Sequence, residues 1–361
     1  MGKDFLRSRR INRNIALMIV LIISFNSTQT LVFVTSDTIT LDFDENNAYN
    51  HISTQLDFGF RVPGTTAHNN CADWITEQIQ IHAEEVVNHK FSIQIGSNPK
   101  YYCQNILGKI NPEKKKIVIL GAHWDSRNVA EKDSFNQSQP IPGANDGGSG
   151  VGVLIELARV LSLYKDNLDC QIWFLFIDAE DQGYSYGMYG LEFWDWSEGS
   201  RFFVDDIDDF YDSNSETIDS FILLDMVGGT DLQFIREANS DTRLHNRIFS
   251  EGQKLGYSSA FPENPTIMSI IDDHIAFKDA GIPVIDLIID FVNGEWEYHH
   301  THSDNLDNID PESLKITGQT IESYIRNYYA SSFPIWVYFA TILGSGALAI
   351  TVLFYFFKKR K

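Results

Sequence analysis

From about residue 85 onward, short apolar runs alternate with amphipathic stretches. KFSIQI, YYCQNILGKI and KKKIVILGAH are rich in β-branched and aromatic residues and predict strands. CQIWFLFIDAE is apolar without alternation, the pattern of a strand buried on both faces. IDSFILLDMV, LQFI and IPVIDLIID predict further strands. Between them, VLIELARVLSLY, DTRLHNRIFSEGQKLG, DDHIAFKDAG and DPESLKITGQTIESYIRNYY carry apolar residues at helical spacing, the last behind a capping Asp. CADWITEQIQIHAEEV predicts an earlier helix, and the polar segment 35–60 a stalk or N-terminal helix. Asn128 to Pro142 reads as a polar loop. Strands alternating with helices predict an α/β fold with a largely parallel sheet.

The termini break this rhythm. Ile15 to Phe25 reads IALMIVLIISF behind the basic flank RSRRINR, the pattern of a signal peptide or signal anchor within 1–34. Phe333 to Phe357 is uncharged, long enough to span a bilayer, and followed by KKRK. The expectation is a folded body over 35–330, a transmembrane helix over 333–357 and a basic cytoplasmic tail over 358–361. The expectation is thus a single-pass protein of the cell membrane whose body faces outward.

Composition adds less. The net charge of −21 argues against a nucleic-acid partner. Of the three cysteines, Cys71 and Cys103 are a candidate disulfide in an exported protein, and Cys170 opens an apolar run as a buried free thiol.

The candidate chemistry sits where the apolar runs end. His123 and Asp125 lie in GAHWDSR, Asp146 in GANDGGSG, Glu180 and Asp181 in FIDAED, Asp225 in LLDMVG and His300 in HHTHSD. Open parallel sheets build their sites beyond the carboxyl ends of strands. Two histidines and several carboxylates converging there make a nitrogen and oxygen donor set suited to zinc. The neighbouring acids Glu180 and Asp181 are costly at a buried strand end without a cation; one can bind metal while the other handles protons. The segment around Gly147 to Gly152 fails the dinucleotide-loop spacing, and Val151 stands where a nucleophile elbow needs glycine. His51, His68, His82, His89 and His245 are expected to face solvent, and His274 to start a helix or support a ligand.

In these ordered motifs, from about Phe58 to Tyr328, the chain resembles the zinc exopeptidases typified by the secreted bacterial leucyl aminopeptidase, a family that includes the glutaminyl-peptide cyclotransferases. The resemblance implies a three-layer α/β/α sandwich around a mixed sheet. It implies that Asp146 bridges two zinc ions, one completed by His123 and Asp225, the other by Asp181 and His300. His300 is chosen because the family pattern is His-Thr-x-x-Asp, matched by His300, Thr301 and Asp304. Glu180 is the implied general base and Asp125 the group that orients His123. The implied activity is an aminopeptidase acting on peptides with a free N-terminus, by metal-activated water.

The alternative is a glutaminyl cyclase with one zinc on Asp146, Asp181 and His300. The aromatic insertion after Asp181, the paired acids of DDH and membrane attachment favour it. Against it, His299 stands where cyclases carry a Trp before the ligand His, and Tyr186 appears where another Trp is expected. GxNDxxSG is also intact, a form cyclases tend to lose. Asp181 replaces the Glu of many relatives. The aromatic loop with Trp194 and Trp196 is expected to line the specificity pocket.

Overall fold

The structure, a computed structural model, describes residues 40–94, 100–291 and 296–331. The expected signal segment and transmembrane helix lie outside these residues. Among the described residues no helix is long and apolar enough to cross a membrane.

Six strands form the main sheet: β1 (Glu85–Ile93), β2 (Tyr101–Ile110), β3 (Lys116–His123), β4 (Gln171–Ile177), β5 (Thr217–Asp225) and, after two short strands, β8 (Val284–Ile288). Their spatial order is β1-β2-β4-β3-β5-β8. The β1–β2 hairpin is antiparallel and joins β4 antiparallel, whereas β4, β3, β5 and β8 run parallel. The sheet is therefore mixed and largely parallel, as expected.

Side chains alternate across β3 and β4 because successive residues point to opposite faces. Val118, Leu120, Ile172, Phe174 and Phe176 enter one core with α1 (Glu45–Asp57), α2 (Thr66–Gln80), α3 (Gly148–Leu163), α5 (Thr242–Lys254) and α7 (Pro311–Tyr328). Ile117, Ile119, Trp173, Leu175 and Ile177 enter a second core with Phe203 of α4 (Glu198–Asp205) and Phe277 of α6 (His274–Asp279). Covering both faces yields the three-layer sandwich, and it explains why β4 is buried at every position and apolar at all but its first, Gln171. In the second core Phe221 stacks on Phe277 at 3.8 Å. Gly121 makes room for it, since a Cβ there would sit 2.4 Å from the Phe221 ring.

Three expectations change. LQFI forms no strand; its backbone makes only a bridge from Phe234 to Ile289, and pairing begins at β6 (Arg236–Glu237) with β7 (Ile267–Met268). Its apolar residues are buried as a loop packed on the core. Cys71 and Cys103 are buried free thiols, not a disulfide, and so is Cys170. His68, His89 and His245 are buried rather than solvent-facing. His68 pairs through Nε2 with the Asp178 carboxylate at 2.8 Å and stacks on Trp124, so partners distant in sequence account for its burial.

Candidate active site

The candidate residues converge at the carboxyl edge of the parallel strands. β3 ends at His123, β5 ends at Asp225, and Glu180 and Asp181 follow β4. Asp146 and His300 arrive on loops. Asp146 is not the cap of α3: Gly147 holds that position with φ +80°, and a Cβ there would lie 2.4 Å from the Asp125 carbonyl. Only glycine fits this turn, which leaves the Asp146 carboxylate free to face the site. Ala179, Met226 and His300 also have positive φ, beside Glu180, beside Asp225 and in the donor set itself. Left-handed non-glycine backbone costs about 1–3 kcal/mol each and collects at functional sites.

His123 Nε2 lies 3.1 Å from both Asp225 Oδ1 and Asp146 Oδ1. His300 Nε2 lies 3.1 Å from Asp181 Oδ1 and 3.6 Å from Asp146 Oδ2. Asp146 thus belongs to two donor groups, one with His123 and Asp225, one with His299 and His300. Between the neighbouring histidines, His300 has the better setting for holding a metal. Its Nδ1 pairs with Glu131 at 2.9 Å, the carboxylate support usual for a metal-bound imidazole. His299 Nδ1 accepts from Lys132, so its neutral ring carries the proton on Nε2, the atom that faces Asp146.

Asp125 does more than support His123, which it meets at 3.4 Å. It accepts from the backbone N–H of Glu180 at 3.0 Å and of Asp181 at 3.2 Å, and from Gln182 Nε2 at 3.0 Å. Asp304 accepts from the N–H of Asn145 and Asp146 and fixes the other loop. Arg127 binds Glu131 and donates to the Asp181 carbonyl. Glu131 and Arg127 escaped the sequence reading because they lie in a patternless polar loop. Asp304 stood in the family pattern without a role.

The electrostatics separate the acids. Burial, then the Asp272 charge, pushes Glu180 well above the usual carboxylate range. Burial and Asp146 raise Asp181 to about 6. Burial and Asp225 raise Asp272 to about 7. Against burial, His123 and His300 hold Asp146 down. Ser197 Oγ donates to Glu180 Oε1 at 3.1 Å. Behind Asp272, His274 and Asp286 form a third group of ligand-type atoms, with His274 3.1 Å from Glu237. His274 does begin α6, as expected.

A cavity of about 450 Å³ opens over these groups. Trp196 and Tyr186 line it, as expected of the aromatic loop. Trp196 stacks on His300 with rings 6.0 Å apart and 11° from parallel, and the Arg127 guanidinium lies 4.5 Å from its ring. Trp194 does not line it: it is buried edge-on against Tyr101.

Comparison with known proteins agrees with this geometry. A solved glutaminyl cyclase from Bacteroides thetaiotaomicron, bound to N-acetylhistamine, is 32% identical, with a TM-score of 0.74, covering 80% of this chain and 99% of that one. A solved Zn-dependent exopeptidase from Parabacteroides distasonis is 33% identical, with a TM-score of 0.73, covering 80% and 100%. Leucine aminopeptidase 1 of Paracoccidioides brasiliensis (strain Pb03) is 30% identical over 146 residues, covering 38% of this chain and about a third, 35%, of that protein. Residues 105–325, more than half of the chain, match Peptidase family M28, and the chain belongs to that family.

Proposed function

We propose that this enzyme is a single-zinc glutaminyl-peptide cyclotransferase, which closes an N-terminal glutamine to pyroglutamate and releases ammonia. The observation that carries this reading is how the donor atoms divide. His123 Nε2 is paired with both Asp225 and Asp146 Oδ1. On the other side, the buried Asp146 Oδ2 and Asp181 Oδ2 have no hydrogen-bond partner. Buried polar atoms are normally satisfied, and two open carboxylate oxygens beside an imidazole fit a cation. Asp146, Asp181 and His300 would hold that zinc ion. When bound, it supplies Lewis-acid polarisation of the glutamine γ-carboxamide.

The chain's own residues do the rest. The acidic wall of Glu180, Asp225 and Asp272 receives the substrate α-amine. As the amine nitrogen bonds to the carboxamide carbon, Glu180 takes the amine proton. Glu180 passes that proton to the departing amide nitrogen, the carbon–nitrogen bond breaks and ammonia leaves. A carboxyl group raised by burial suits both halves of this transfer. Ser197 holds Glu180 in place, and Trp196 covers His300 and limits water in the cavity. Trp196 also supplies the aromatic ring that Tyr186 alone does not, which favours the cyclase over the order of preference expected from sequence. The likeness to a solved cyclase over nearly its whole length supports the same reading.

An aminopeptidase with two zinc ions is the second reading. His123, Asp146 and Asp225 have ligand atoms within 4.8 Å of one another, a geometry that a second ion also fits. Glu180 would then take a proton from water and pass it to the leaving amine. Incubation with a glutamine-terminated peptide and with amino-acid anilides separates the two. Pyroglutamate and ammonia without anilide cleavage are expected; anilide cleavage without ammonia refutes the cyclase. The uncharged run 333–357 and KKRK further support a membrane-anchored enzyme facing outward, which protease protection of the C-terminal tail in sealed vesicles tests.

A further inference from the structure

A second cavity, of about 570 Å³, lies between α4 and α6. It shares two wall residues, Ile271 and Asp272, with the catalytic cavity. Ser197, which bonds Glu180, also lines it. The two spaces are therefore neighbours across a thin wall that includes the contacts of the general base. Ile271 stands on that wall with 68% of its surface exposed, an apolar side chain held in water at the junction. Val204, Ile275 and Ala276 give the second cavity apolar patches, while Arg201 and the carboxylates of Asp205 and Asp279 add charge around them.

We propose that this α4–α6 cleft is the subsite for the residues that follow the N-terminal one, so that the substrates are extended peptides rather than dipeptides or free amino acids. The proposal rests on the reading that the first cavity takes a peptide N-terminus. That cavity ends against Ile271, and the rest of a bound chain must leave it. The path over Ile271 covers an exposed apolar side chain and enters a cleft with apolar patches. A downstream apolar side chain of the peptide packs there. Arg201 is paired with Asp195 at 3.1 Å through one nitrogen, and its remaining donors suit peptide carbonyls.

The test fills the cleft from its outer end. Ala280 caps α6, is exposed, lines the cleft and lies outside the catalytic machinery, so Ala280→Trp narrows the cleft without touching the reacting groups. Thermal unfolding confirms that the variant is folded. For the parent, kcat/KM for a glutamine-terminated hexapeptide with a phenylalanine at the third position should exceed that for a glutaminyl dipeptide amide about tenfold, the discrimination one apolar contact gives. The variant should lose that advantage and keep the dipeptide rate. Equal rates on both peptides in the parent, or an equal fall on both in the variant, overturn the cleft as a subsite. Binding of a fluorescent hexapeptide to parent and variant, read by anisotropy, separates this from the reaction itself. Binding weakened about tenfold by Ala280→Trp supports the cleft even where no cyclisation occurs, and unchanged binding overturns it.

Discussion

Asp125→Asn is the perturbation that reads the architecture of the site most finely, because it keeps the shape and removes the charge. Asp125 is fully buried, and its two oxygens face four groups: the Glu180 and Asp181 backbone N–H, Gln182 Nε2 and His123 Nδ1. All four are donors in this arrangement, since His123 is pushed well above its usual range, against burial, by Asp125, Asp146 and Asp225. A carboxylate accepts from all of them. An asparagine has one carbonyl oxygen, and its amide nitrogen must point at donors whichever way it is turned. At least one buried N–H then loses its acceptor, at about 1–3 kcal/mol. The lost charge-assisted bonds add about 1.5–3 kcal/mol. Urea unfolding should therefore show a loss of about 2.5–6 kcal/mol, summed from those two effects. Activity should fall further than stability explains, by about 10–100-fold, because the Glu180 and Asp181 backbone shifts away from productive geometry. A variant within about 0.5 kcal/mol of the parent, the range of an inconsequential surface change, and with unchanged kcat would refute the assignment of Asp125 as the clamp of this loop.

The two tryptophans of the aromatic loop should separate. Trp196→Leu should lower kcat/KM at least tenfold with little change in thermal midpoint, while Trp194→Leu, which empties a packed site, should lower the midpoint and spare kinetics; the reverse pattern would sink the placement of Trp196 over the reacting groups. His245 is buried, with its range lowered to about 4 by burial and then by Arg236. The folded state therefore binds fewer protons than the unfolded state between about pH 6.5 and 4, and stability falls as pH drops through that window. His245→Phe should remove up to about 3 kcal/mol of that acid sensitivity, measured as urea stability at pH 7 and pH 4.5; an unchanged pH slope contradicts it. Because Cys71 and Cys103 are free thiols, a reducing agent should leave the thermal midpoint unchanged, and thiol counting in denaturant should find all three cysteines; a drop of several degrees on reduction would show a disulfide.

Much of the fold was legible because the parallel strands are buried on both faces. β4 announces that burial in seven consecutive buried positions, and residue alternation then assigns its side chains to two cores. His123, Glu180 and Asp225 were legible for a related reason: ionisable groups directly after apolar strands have few bland explanations. What escaped depends on distant partners. His68 sits in an unremarkable helical context, and its burial follows from Asp178, 110 residues away. Glu131 looks like a loop acid until the fold brings it to His300, where His300 and Arg127 hold it at about 2 against burial. LQFI has strand composition, but it touches the sheet edge at β8 through a single bridge, and the Phe234 N–H turns away to the Ala260 carbonyl. Trp196 could not be distinguished from Trp194 by spacing, because the loop that carries both has no regular period.

Zinc per chain, measured by plasma mass spectrometry on purified protein and on two variants, tests the central claim most directly. A single-ion centre on Asp146, Asp181 and His300 predicts one zinc in the parent, one in His123→Ala and none in His300→Ala. Two zinc ions in the parent, falling to one in His123→Ala, would contradict it and establish the paired-ion arrangement of the aminopeptidase reading.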